Sequence, residues 1–352
     1  MRRIFKEGGV TSPFLFTLAP TTSISDSRKV QVLRMSVNIL FIADHHIKLG
    51  QKNVPKEWAR SRFQRLWADV AALANSCNCT HIVHGGDIFD RLPTMEEIEI
   101  FFEMLEMLSG FEQIMYAGNH EASGKHSSWL KHFASAMTNY NCDYIDEFTQ
   151  NYWEGIDILP YPDLKKNHWH GKSNKVLLTH VRGEIPPHVK PEVDLALFKG
   201  WDLVLAGDLH AHSNSQKNIQ YPGSPMTNTF HRTESKGENG VILLHDSVYT
   251  FIPLNLPQLI RKTVSKAEDM IASDNHHVIY ELVGDMQELK QQEQKINKEL
   301  LDKKITTRAS EATLNLKNKT LEEELFEYLV EVEGVKNPEE ILQEFHDYIK
   351  EA

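Results

Sequence analysis

The 352-residue chain has ordinary apolar and charged fractions, 41% and 25%, and a net charge of −11. Length and composition fit a soluble α/β domain with smaller additions, and no stretch is apolar and long enough for a membrane span. Three cysteines exclude a disulfide framework and suit a reducing cytoplasm; the acidic balance requires that any grip on a polyanion come from bound cations, local basic patches or a partner.

Residues 1–34 carry six basic side chains against Glu7 and Asp26, with many Ser and Thr and no periodicity. They read as a disordered or over-extended N-terminal extension, or as a transit peptide. From Met35 onward the pattern becomes regular. Short apolar runs at 39–42, 81–84, 114–116, 176–178 and 203–205 predict strands, and amphipathic stretches at 58–75 and 95–109 predict helices between the first three. Alternating strands and helices imply a layered α/β sheet. Around 219–244 the chain turns to strands and turns, among them Tyr221-Pro222-Gly223-Ser224-Pro225. Residues 35–253 form the main domain in this reading, 254–285 a small α/β cap, 286–318 a polar helix or linker, and 319–352 a helical tail. The tail has two apolar stripes, Leu321, Leu325, Phe326, Leu329 and Val332, then Ile341, Leu342, Phe345 and Ile349, with Asn337-Pro338 starting the second helix.

The unusual polar residues fall immediately after the predicted strands. Strand one ends in Asp44-His45-His46 and strand two in Gly85-Gly86-Asp87-Ile88-Phe89-Asp90. The next three end in Gly118-Asn119-His120-Glu121, in Thr179-His180, and in Gly207-Asp208-Leu209-His210-Ala211-His212. Functional groups gather at the carboxyl ends of strands in open α/β sheets, so these five exits bring carboxylate, imidazole and amide groups to one crevice. Mixed oxygen and nitrogen donors suit Mn²⁺, Fe²⁺ or Zn²⁺, and an Asp such as Asp87 has the two oxygens needed to bridge a pair of ions. A lone His or Gly-Asp would be a structural residue or a turn; the ordered set of five is the signal.

That order resembles the calcineurin-like metallophosphoesterase family over residues 37 to 245. The resemblance implies a four-layer sandwich of mixed sheets flanked by helices, with the small α/β cap and helical tail appended. It implies two divalent ions, with Mn²⁺ favoured, one held by Asp44, His46, Asp87 and His210 and the other by Asp87, Asn119, His180 and Asp208. His120 then matches the catalytic histidine, and Asp90 and Glu121 stand behind the ligands. Asp208 departs from the family's Gly-His opening of the last motif. A shifted alignment would make His212 the ligand instead, and otherwise His212 is free for a bland role or a DNA contact.

The family includes phosphatases and cyclic phosphodiesterases as well as nucleases. The Tyr221–Pro225 segment with Phe230 and Lys236-Gly237, and the opening Asp44-His45-His46-Ile47-Lys48-Leu49-Gly50, resemble the SbcCD-type nuclease subunit and its bacteriophage recombination endonuclease branch. This implies a DNA exonuclease and endonuclease acting in repair and recombination, in the cytoplasm of a host cell. It also implies a coiled-coil ATPase partner of the SbcC kind, docked on Leu325, Phe326, Leu329 and Phe345, within a complex that can hold two copies of this chain. The alternatives are a stand-alone phosphatase or cyclic phosphodiesterase, and a non-catalytic scaffold. Lys48, Lys52, Arg60 and Arg62 are candidate DNA contacts, or equally a solvated helix surface.

Overall fold

The computed structural model describes residues 37–124, 127–284, 300–302, 306–307, 320–333 and 335–351. The extension at 1–34 and the linker over 285–299 lie outside the described residues.

Two sheets stack face to face. The first runs β11 (Val248–Pro253), β10 (Gly240–His245), β1 (Asn38–Ile42), β2 (His81–His84), β3 (Glu112–Tyr116), β4 (Cys142–Ile145). The second runs β5 (Thr149–Trp153), β6 (Ile156–Leu159), β7 (Asn174–His180), β8 (Trp201–Gly207), β9 (Ile219–Gln220). β1 pairs parallel with β2 and antiparallel with β10, so the sheet is mixed. Strand alternation explains the layering. Ile39 and Phe41 meet Ile156, Val176, Leu178 and Leu205 between the sheets, whereas Leu40 and Ile42 face the helices.

On that outer face lie α1 (Lys56–Ser76), burying Phe63, Leu66, Trp67 and Val70, and α2 (Met95–Met107), burying Ile100, Phe101, Met104 and Leu105. Thr94 and Glu97 start α2 with a reciprocal capping box. The outer face of the second sheet is covered by turns and short helical segments that carry Trp169 and Phe198 onto Leu177, Trp201, Val204 and Ala206 of the strands. The result is the expected four-layer α/β sandwich, with its second outer layer built from short turns rather than long helices.

The cap is a three-stranded sheet of β12 (Leu259–Val264), β13 (His277–Gly284) and β14 (Thr306–Thr307). Its extent corrects the expected boundary at 285. Val283 and Gly284 pair parallel with Thr306 and Thr307, and the Asp302 N–H donates to the Tyr280 carbonyl at 2.8 Å. Residues 300–302 and 306–307 therefore contribute to the cap. Periodicity could not reveal a two-residue strand whose partner lies more than twenty positions away.

In the tail, helix Leu321–Glu327 continues through a π turn, Tyr328–Val332, and is followed by helix Pro338–Glu351. His346 lies 3.5 Å from Glu322, so the two segments meet. Leu329 is buried, Leu325 and Phe345 are half-buried, and Phe326 is 42% exposed. No helix of the described residues is long and apolar enough to cross a membrane.

Candidate metal centre

Parallel pairing places the exits of β1, β2, β3, β7 and β8 at one edge of the stacked sheets. Asp44, His46, Asp87 and Asp208 all take positive φ, between 47° and 106°. That region is uncommon for residues with a Cβ, and its concentration here marks backbone strain held by the surrounding packing. Gly118 and Gly207 let the segments close up. A Cβ on Gly118 would collide with the Asp87 carboxylate, and one on Gly207 with the His180 ring.

His46 Nε2 and His210 Nε2 face each other at 3.0 Å, with Asp44 Oδ1 at 4.0 Å from both. Asp87 Oδ2 lies 3.7 Å from His46 Nε2, 3.5 Å from His180 Nε2 and 3.8 Å from His120 Nε2. Asp44, Asp87 and His180 are all buried, and Asp208 is nearly so. Around the Asn119 amide, Asp87 Oδ2 at 3.0 Å, Asp87 Oδ1 and Asp208 Oδ1 at 3.3 Å and His180 Nε2 at 2.9 Å all converge on one atom. Turned with its oxygen inward, that amide meets only acceptors. Two facing imidazole nitrogens and a ring of acceptors make a donor set that fits divalent cations.

The charges respond accordingly. Burial pushes the Asp44 carboxyl well above its ordinary range, partly offset by His180. Burial opposes ionisation of Asp87 too, but His180, His46 and His120 together hold it below the usual carboxylate range. His180 is raised despite burial, because Asp87, Asp44 and Asp208 surround it. Burial lowers His46 to about 3, so its lone pair is free at neutral pH.

A shell of hydrogen bonds fixes these groups. His180 Nδ1 donates to the Gly85 carbonyl at 2.9 Å, which leaves Nε2 unprotonated toward the cluster in the neutral ring. Glu121 accepts from the backbone N–H groups of Asp87, Phe89 and Gly118 at 2.8–3.0 Å. Burial, then the Asp87 charge, pushes Glu121 up to about 7. Asp90 sits 3.9 Å from His46 and pairs with Lys48 at 2.6 Å, while its carbonyl accepts from His120 Nδ1 at 2.5 Å.

The candidate residues thus divide. Asp44, His46, Asp87, Asn119, His120, His180, Asp208 and His210 come together, with Asp90 and Glu121 behind them. His212 does not join them: its ring stacks flat on Phe251 at 3.8 Å and its Nδ1 meets the Tyr221 carbonyl at 2.7 Å. Of the candidate DNA contacts, Lys52 is exposed and Lys48 reaches the site's edge through Asp90. Arg62 is a correction, being 5% exposed. Its guanidinium lies over the Trp58 ring and donates to the carbonyls of Thr227 and Pro257, tying α1 to the segment that leads into the cap. Arg60 is engaged with Glu103 on α2, so its charge is already partnered at the surface.

Sequence reasoning also missed Arg182, whose Nε and Nη2 donate to the two oxygens of Asp208 at 3.0 and 3.1 Å. The signal was present. Residues i and i+2 of an extended segment share a face, and Arg182 stands two positions after His180.

Comparison with known proteins follows the same lines. The profile of the calcineurin-like phosphoesterase family matches residues 37–225. The chain is 41% identical over 327 residues to "Probable exonuclease subunit 1" of Escherichia phage T5, covering 90% of this chain and 99% of that protein. Among solved structures, a novel archaeal phosphodiesterase aligns over 62% of this chain and all of its own, with TM-score 0.37 and 14% identity. The nuclease MPE of Pseudomonas putida aligns over 58% of this chain and 84% of its own, with TM-score 0.31 and 12% identity.

Proposed function

The chain belongs to the calcineurin-like phosphoesterase family, and from that premise we propose that it is a two-metal DNA phosphodiesterase. In this reading it is the nuclease subunit of an ATPase–nuclease complex that processes DNA ends in recombination and repair, in the host cytoplasm. The observation that carries the reading is the ring of acceptors around the Asn119 amide beside the facing His46–His210 pair.

Asp44, His46, Asp87 and His210 would hold one cation, and Asp87, Asn119, His180 and Asp208 the other. The mixed donor set suits Mn²⁺. Bound there, the cations supply Lewis-acid polarisation of phosphoryl oxygens and the means to ionise water at neutral pH.

The remaining work falls to the chain. Asp87 takes the His120 backbone N–H on Oδ1 at 2.9 Å, which leaves Oδ2 turned toward the His46 and His180 rings. The Gly85 carbonyl and the three N–H groups on Glu121 hold the imidazole and the β2 exit in orientation. His120 is anchored through Nδ1 with Nε2 3.8 Å from Asp87, and in its imidazolium form it would give the Nε2 proton to the departing sugar oxygen and return to the neutral ring.

The phage relative, named a probable exonuclease subunit, supports a nucleic-acid substrate and membership of a complex. Duplex ends are the expected exonuclease substrate and single strands the endonuclease substrate. Leu325, Phe326, Leu329 and Phe345 belong to the segment we assign to an SbcC-type coiled-coil ATPase, with two copies of this chain in the complex. Phe326 is the part of that set most open to a partner. The test is a nuclease assay with Mn²⁺ on duplex and single-stranded DNA, for the wild type and Asp87→Ala. Metal-dependent cleavage lost in the variant supports the reading. Hydrolysis of a small phosphomonoester with no action on DNA overturns it in favour of a phosphatase.

A further inference from the structure

We propose that Arg182 is a phosphate anchor for the DNA strand, held in place over the metal centre by its fork onto Asp208. The proposal rests on the nuclease reading above and names a binding residue for it.

The geometry is specific to an arginine. Nε and Nη2 donate in parallel to Oδ2 and Oδ1 of Asp208, and Nη1 makes no hydrogen bond among the described residues. A guanidinium has five N–H donors in one plane, so two are spent on the carboxylate and three remain for a second anion. Lysine, a point charge on a flexible stem, cannot hold a carboxylate bidentately and present a free edge as well. The Asp208 carboxylate is 5% exposed while the Arg182 side chain is 39% exposed. The pair therefore runs from the buried cluster outward, with the cation on the solvent side. Asp208 Oδ1 is the link, lying 4.0 Å from His180 Nε2 and 3.3 Å from the Asn119 amide. A phosphate on Arg182 would thus lie one side chain away from Asp208, itself a proposed ligand. That places it beside the scissile group as a neighbouring phosphate of the same strand.

Charge makes such an anchor necessary. Asp44, Asp87, Asp90 and Asp208 crowd the site in a chain of net charge −11. Arg60 and Arg62 are committed within the protein. Lys48 meets Asp90 at the His46 end, and Arg182 meets Asp208 at the His180 end, so the rim carries a cation at each end of the cluster. Because the fork already fixes the guanidinium, little side-chain freedom remains to be lost when a phosphate binds.

The experiment follows binding of a fluorescently labelled duplex oligonucleotide to the full chain by anisotropy across a NaCl series. Ca²⁺ replaces Mn²⁺ to keep the DNA uncut, and bound cation is measured in parallel by calorimetry. Arg182→Gln, which keeps one hydrogen bond to Asp208 but no charge, is expected to weaken binding about tenfold at low salt. It should also reduce the slope of log K against log[salt] by about 0.9, the share of one phosphate contact. Arg182→Lys should keep most of the slope. Unchanged affinity and slope in Arg182→Gln overturn the proposal. So does loss of bound cation together with DNA, which would confine Arg182 to orienting Asp208. Failure of the wild type to bind DNA at all is a separate result: it removes the nuclease reading, and the anchor with it.

Discussion

Asp87 Oδ2 stands 3.5 Å from His180 Nε2 while its Oδ1 is occupied by the backbone of His120. The same Oδ2 is 3.7 Å from His46, so one carboxylate serves both halves of the cluster. Asp87→Ala is therefore expected to abolish binding of both cations. Calorimetry that finds one cation still bound with near-native affinity would show that Asp87 does not bridge.

His120 approaches the same carboxylate but is anchored through Nδ1 to a carbonyl of the loop after β2. His120→Ala should retain both cations and lose a factor of about 10²–10⁴ in turnover, the usual worth of a positioned acid. Single-turnover cleavage paired with metal analysis decides this. If metal leaves with the imidazole, His120 is a ligand.

Asp208 and His212 make opposite predictions. Asp208→Ala removes a member of the acceptor ring and should eliminate Mn²⁺-dependent cleavage. His212→Ala should leave most cleavage intact, its ring lying against Phe251 and away from the cluster. It should instead lower thermal stability, by about 1 kcal/mol for the lost ring contact. The reverse ranking in a nuclease assay would move the ligand pair to His210 and His212.

Behind the site, His84 lies 3.2 Å from His45 and 3.1 Å from the Gln113 oxygen, fully buried. Burial lowers His84 to about 4, against 6.5 for a free imidazole. The unfolded chain therefore takes up protons first as pH falls. The stability that neutral His84 contributes is complete above about 6.5 and is lost as pH drops toward 4. For His84 alone the loss between pH 7 and pH 5 is about 2 kcal/mol. Urea unfolding of EDTA-treated protein at the two pH values should show it, and His84→Gln should reduce the dependence by that share, the part due to the likewise lowered His45 and His46 remaining. An equally steep dependence in the variant would locate the proton uptake elsewhere.

In the tail, Phe326 is exposed and Leu329 is buried, so the two should behave differently. Phe326→Asp should leave the helices folded and release the proposed ATPase partner in a pull-down. Leu329→Asp buries a charge and should unfold the tail helices themselves, visible as lost ellipticity. A Phe326→Asp chain that still captures its partner would return this surface to ordinary solvent exposure.

Much of this architecture is legible in the sequence because its strands announce themselves. The runs at 39–42, 114–116, 176–178 and 203–205 are buried on both faces and read as unbroken apolar segments, 81–84 has an apolar centre between two buried histidines, and each is followed by its candidate ligands. α1 and α2 follow from amphipathic spacing within two residues at each end. β5 and β6 were not anticipated: Thr149–Trp153 is half polar, and Ile156–Leu159 is interrupted by Asp157, whose carboxylate accepts from Trp201 in the core. Charge on a helix misled in the same way, since Arg62 looks like a surface cation until the segment around Thr227 closes over it.

The four left-handed residues of the site have a consequence for how this protein can be improved. Glycine at Asp44, His46, Asp87 or Asp208 would relax the backbone, and at Asp44 it would also remove a carboxylate that burial and the neighbouring aspartates disfavour, whereas at Asp87 it would strip His180 of its main counter-charge. At Asp44, where strain and disfavoured charge coincide, the change should make the folded chain easier to keep while removing a proposed metal ligand. A laboratory selection scored on heat resistance alone would therefore erode this crevice first. Any thermostable descendant of the chain should be screened for cleavage in the same round.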